Sequence, residues 1–208
     1  GTTPYTLELA QISSVGVGTP ASIRPPLVGP GAVGAVGTTT ATVSGTAAAG
    51  DGTASVAVEY ATSASDLGTA SGSELPADPA SVDGSAGTEV SAGLTGLASG
   101  TAHVARVRAT DGVAVAYGDT LAFTTLVSVT TSGLDVEYSG GPAAVDVVTD
   151  PPGVGVSTTY EGTGGTVYAR SATPPTHVGT YRVTTVVDDG DLAGGDDQLL
   201  TIRPRAVG

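Results

Sequence analysis

Hydrophobic and polar positions alternate along this chain in short bursts. Tyr5, Leu7 and Leu9 alternate with Thr6 and Glu8, Val56, Val58 and Tyr60 with Ala57 and Glu59, and Val107 and Ala109 with Arg106 and Arg108. A period of two sends successive side chains to opposite faces of an extended strand, so each burst predicts a strand with one face turned to a core. Further strands are predicted at 40–45, across 117–125, and in the Val-, Thr- and Tyr-rich segments of 127–206. Helical spacing is scarce. The pattern predicts an all-β chain in which Glu59 meets Arg106 or Arg108 on a solvent face, because Val58 and Val107 point inward. It also buries Tyr181, with Val183 and Val187 on the same face of a strand, and leaves Arg182 outside.

Breaker residues divide the chain. Prolines at 20, 25, 26 and 30 interrupt pairing and favour an extended path, so 1–30 reads as an N-terminal arm carrying one candidate strand, 5–12. Residues 31–126 and 127–208 then read as two tandem β-sandwiches, modules of roughly 80 to 100 residues. The stretch SASDLGTASGSELPADPASVDGSAG, 63–87, lacks clear periodicity and reads as a long polar loop. A lone strand cannot bury its own apolar face, and both sandwiches have enough predicted strands without the arm. Tyr5, Leu7, Leu9 and Ile12 are therefore candidates for an assembly strand that completes a sheet in a neighbouring copy or an adjoining module. The alternative is that this strand folds back as the first strand of the first sandwich, or closes a module upstream.

Two series of motifs carry resemblances. The first runs Thr40-Ala-Thr-Val-Ser-Gly45, Val56-Ala-Val-Glu-Tyr60, Leu94-Thr-Gly-Leu-Ala-Ser-Gly-Thr101, Ala105-Arg-Val-Arg-Ala109 and Tyr117-Gly-Asp-Thr-Leu-Ala-Phe-Thr-Thr125. It resembles the fibronectin type III-like modules of bacterial exported proteins. The family's corner tyrosine is replaced by His103, and Ala105 stands where a second aromatic is usual, which implies lighter packing beneath that strand. The second series runs Leu134-Asp-Val-Glu-Tyr138-Ser-Gly-Gly-Pro142, Thr149-Asp-Pro-Pro-Gly153, Tyr160-Glu-Gly162, Pro174-Pro-Thr-His-Val-Gly-Thr-Tyr181 and Leu199-Leu-Thr-Ile202. Over about 127–206 it resembles the MBG ("mostly beta, glycine-rich") repeat of bacterial surface proteins. Both resemblances imply that the two tandem sandwiches are Ig-like or fibronectin III-like, and that the chain is an extracellular, cell-surface scaffold.

Composition narrows the chemistry. With 39% hydrophobic residues the chain can fold, but aromatics make up only 4%, so the cores must be thin and built from Val, Leu, Ala and a few Tyr. The chain has no Cys, Lys or Asn. That excludes disulfides, zinc–thiolate sites, Lys–Asn isopeptide staples and N-linked glycans. A net charge of −13 repels phosphate backbones and anionic lipid, so nucleic acid and membrane insertion are not expected, and no run of 18 apolar residues exists.

No catalytic set assembles in the sequence. His103 and His177 fall in different modules and there is no Gly-x-Ser-x-Gly elbow, so a Ser/His/Asp triad has no place to form. His103 is expected to act as a corner residue bonded to nearby backbone, and His177 to lie in an exposed turn. Five Asp, at 188, 189, 191, 196 and 197, crowd into ten residues. Asp188, Asp189, Asp191, Asp196 and Asp197 form either a solvated acidic hairpin or a Ca²⁺ loop, although the EF-hand order is absent. No other cofactor is expected. Tyr160 and Tyr168 flank a glycine turn and are a weak candidate for glycan stacking. The expected function is that of a non-catalytic surface protein, a filament subunit or spacer partnered by copies of itself. An adhesin or Ca²⁺- or glycan-binding module, and an accessory module of an extracellular hydrolase, remain open.

Overall fold

Within residues 24–206, which this computed structural model describes, every alternating segment becomes a strand. The first sandwich is built from β1 (Leu27–Val28), β2 (Ala32–Gly34), β3 (Thr40–Ala48), β4 (Thr53–Ala61), β5 (Ser73–Asp83), β6 (Thr88–Thr95), β7 (Ala102–Thr110), β8 (Val115–Tyr117) and β9 (Leu121–Thr124). Strands β1 and β2 pair with β3, which pairs with β6, to form one face. The other face is β5–β4–β7, with β8 and β9 along the far side of β7, and β5 also bridges to β6 at Asp78–Ser91, so one continuous sheet folds into both faces. This three-against-four division is that of a fibronectin type III sandwich. Val43, Val56, Val58, Val90, Leu94, Val107 and a set of alanines fill the space between the faces.

The corner residue behaves as expected from the sequence. His103 is buried, its ring stacks on Phe123 at 5.5 Å, and its Nε2 lies 3.4 Å from the Ala98 carbonyl. Two boundaries differ. Residues 27–34, partly assigned to the arm, run along the first sandwich: Leu27 and Val28 pair with Ala48 and Ala47, and Ala32–Gly34 with Ser44–Thr42. Pro30 interrupts this edge strand into two short pieces, as proline can where one ladder side faces solvent. The stretch read as a loop at 63–87 contains β5, eleven residues long. Only Ala77 and Val82 of β5 are buried, so its pairing rests on backbone and leaves no apolar alternation to read.

The second sandwich comprises β10 (Ser128–Ser132), β11 (Asp135–Glu137), β12 (Asp146–Asp150), β13 (Val156–Thr163), β14 (Gly179–Val187) and β15 (Gly195–Arg203). Strands β11–β15–β14–β13 form one sheet, with β11 parallel to β15, and β10 and β12 form the other. Tyr160, Tyr181, Val183, Leu200 and Ile202 make the core. Tyr181 is buried on the same face as Val183, with Val187 half-buried and Arg182 exposed, which matches the alternation. Here the expectation of a complete set of strands fails. A full immunoglobulin-type sandwich has a further strand beside the second one. Among the described residues, β12 has no strand on the side away from β10.

Candidate functional site

The two modules join without a free linker. The Leu126 amide donates to Gly37 O at 2.9 Å, and the next residue, Val127, is buried with its amide on Ala193 O at 2.8 Å. Ser99, on the β6–β7 turn of the first module, sits at the centre of this joint. Its Oγ accepts from the Ser128 amide at 2.9 Å and lies 2.6 Å from Asp150 O and 3.0 Å from Leu126 O. One hydroxyl proton serves one carbonyl at a time, and Asp150 is the nearer. The neighbouring Gly100 has φ of +55°, and a Cβ there would fall 2.7 Å from Pro151 Cδ. Glycine is what lets the β12–β13 turn approach this closely. Ser99 thus ties the first module to both strands of the smaller sheet of the second.

The described chain starts at the opposite pole. The Arg24 amide donates to Asp51 Oδ2 at 2.8 Å in the β3–β4 turn. Strand β3 runs nine residues from the junction pole to this one, a span of about 30 Å. Arg24, the first described residue, therefore lies at the end of the first module farthest from the second. Tyr5, Leu7, Leu9 and Ile12 lie outside the described residues.

On the β5–β4–β7 face, Glu59 pairs in register with Arg106, as the alternation predicts. Its exposure does not match the expectation of an open solvent-face pair: Glu59 is only 3% exposed. The Arg106 Nε and NH2 groups donate to Oε2 at 2.8 and 2.7 Å, and Arg108 Nε stands 3.6 Å from Oε1. Arg106 also lies over the Tyr117 ring, 3.8 Å from its centroid. The two arginines and the segment around Gly68 roof the carboxylate, which is buried under polar side chains rather than in the apolar core. A hollow of about 240 Å³ beside it is lined by Glu59, Thr69, Ser73, Glu74, Arg108 and Tyr117. Two carboxylates against two guanidinium groups leave that surface without net charge.

The acidic hairpin does not gather its five carboxylates, and among the described residues no cluster of three or more potential ligands could hold a metal ion. Asp188, Asp189 and Asp191 lie in the β14–β15 turn, where Asp189 Oδ1 accepts from the Asp191 amide. Asp196 and Asp197 are successive residues of β15 and so point to opposite faces. Asp197 is bound by Arg182, and that pairing holds its carboxyl below the ordinary range while raising the guanidinium. Asp196 Oδ2 accepts from the Thr131 amide of β10 at 3.0 Å. Burial raises its pKa, but the hydrogen bonds from Gln198, Thr131 and the Asp197 amide outweigh burial and leave it low. The two tyrosines of the glycan candidate both take part in packing. Tyr160 is buried with its hydroxyl accepting from the Val145 amide, and Tyr168 packs edge-on against Tyr181 at 5.5 Å.

Among the described residues, the edge of β12 away from β10 is unpaired. Its Thr149 is buried and Val147 half-buried, while Asp146, Val148 and Asp150 face outward and Val148 is 65% exposed. Sequence reading missed both this edge and Ser99. The sign of the edge is the lack of any alternating segment between Tyr160 and Tyr181, where a further strand would have to be encoded. Ser99 stands in a Ser/Gly-rich turn and nothing in its neighbours marks it.

With this geometry in place, comparison with known proteins adds one assignment. Residues 127–206 match the family model of the MBG domain. The match covers the second module and stops at the joint. Among solved structures, the FN1-FN3 domains of chicken CNTN1 align over 87% of this chain and 68% of that one, at 11% identity and a TM-score of 0.38. No curated protein matches the chain.

Proposed function

We propose that this chain is a non-catalytic structural protein of an extracellular surface, a subunit or spacer that assembles head to tail through a donated N-terminal strand. The observation that carries this reading is polarity. One pole of the first module is closed onto the MBG-type module by Ser99, Leu126 and Val127, and Arg24, where the described chain begins, lies at the other pole. A unit with its donor at one end and a second module at the other forms heterologous contacts, which propagate as an open fibre rather than a closed ring. The −13 net charge keeps such a fibre soluble and disfavours side-by-side association at low salt.

Negative-stain imaging of the full chain tests the reading, with fibres whose repeat is near one subunit as the expected result. A chain lacking residues 1–12 is expected to remain folded and monomeric. Fibres formed equally well without those residues would rule out a donated strand.

A further inference from the structure

We infer that the acceptor of the N-terminal strand is the free edge of β12 in the second module of a neighbouring copy, with Glu8 set opposite Val148. This rests on the head-to-tail reading above and assigns its partner surface. The vacant side of β12 is where an immunoglobulin-type sandwich carries one more strand, and an unpaired ladder there is a template for another chain. Residues 5–12 have the matching pattern. Leu7 and Leu9 fall on one face, able to continue the inward row of Val147 and Thr149, and Thr6, Glu8 and Ala10 fall on the other.

Charge selects the register. The outward row of β12 is Asp146, Val148 and Asp150, and Glu8 is the single charged residue in 5–12. Setting Glu8 opposite Val148 places Thr6 and Ala10 opposite the two aspartates. A slip of two residues either way puts Glu8 directly across from an aspartate, which is destabilising.

Reach selects the partner. Even fully extended, the twelve residues from 12 to 24 reach only about 40 Å, and roughly 30 Å of first module separates Arg24 from the joint. Folding back would require that linker to lie nearly extended along its own module. A copy docked end to end meets no such requirement. In that arrangement the strand enters from the Asp146 end of β12 and runs antiparallel to it, because the Asp150 end is tied to Ser99.

The chain has no cysteine, so the pairing can be read by disulfide formation. Full-length Glu8→Cys and Val148→Cys chains, mixed and oxidised, are expected to form a mixed dimer. A control mixture of Glu8→Cys with Val167→Cys, whose side chain is exposed elsewhere on the second module, is expected to give at least tenfold less. As a second readout, Val148→Asp is expected to abolish fibres by facing Glu8, and Glu8→Arg in the same chain to restore them. Equal cross-linking in the control, or a double Glu8→Cys/Val148→Cys chain that closes only within monomers, would overturn the assignment. If fibres form while neither mixed dimer nor charge rescue is seen, the β12 acceptor is wrong but the filament reading stands.

Discussion

The first sandwich gathers sixteen buried hydrophobic residues, from Ala41 to Ala109, into one cluster, and the second gathers five. The first spreads its burial over small residues on a complete set of strands. The second concentrates it in Tyr160 and Tyr181, whose hydroxyls are tethered to backbone at Val145 and His177. Large aromatics bury about 150–250 Å² each, so two of them can replace many alanines. The contrast shows two ways to build a core with almost no aromatic residues. The module with the thinner core is also the one in which β12 stands open.

The largest effect expected from breaking this contrast is at Tyr181. Tyr181→Ala should cost about 3–4 kcal/mol and remove the melting transition of the second module, leaving the first. Leu94→Ala, a comparable deletion in the first module, should only lower that module's transition. Calorimetry of both variants checks the pair, and a Tyr181→Ala protein with unchanged melting would refute the concentration of stability in the second core.

Glu59→Ala comes next, at about 2 kcal/mol, below the 3–5 typical of a sealed ion pair because the Arg106 and Arg108 side chains keep 21% and 26% exposure and can be hydrated. Chemical denaturation should place the loss in the first module alone. Ser99→Ala should cost about 1–2 kcal/mol by leaving the Ser128 amide without its acceptor. Small-angle scattering should then show a broader range of inter-module angles, whereas unchanged scattering would mean that Val127 packing alone holds the joint.

The smallest expected effect is that of pH on the Asp196 bridge between the two sheets of the second module. Asp196 is held below its ordinary pKa in the folded chain. The stability it contributes is therefore present above the unfolded value, about 4, and is lost as pH falls through the lower folded value. Asp197 follows the same sign through Arg182. Acid titration should weaken the second module below about pH 4, and Asp196→Ala should remove part of that dependence.

Much of this architecture was legible from alternation. The β4 and β7 registers follow from Val56, Val58, Val107 and Ala109, and the burial of Tyr181 follows from its two-residue spacing to Val183. Strand β5 was not legible because an exposed strand held by backbone needs no apolar partners. The burial of Glu59 was hidden for a related reason. Its roof is made of long side chains and a loop segment distant in sequence, and alternation reports only which face a residue occupies.

The sequence by itself determined strand positions, faces and turns, because these depend on neighbours one or two residues away. Only the tertiary structure decided which edges pair, where Ser99 falls relative to Ser128 and Asp150, and that β12 stands without a partner beyond β10. Those outcomes depend on backbone groups that every residue carries alike. Side-chain order cannot encode them until the chain closes on itself and leaves some of those groups paired and others free.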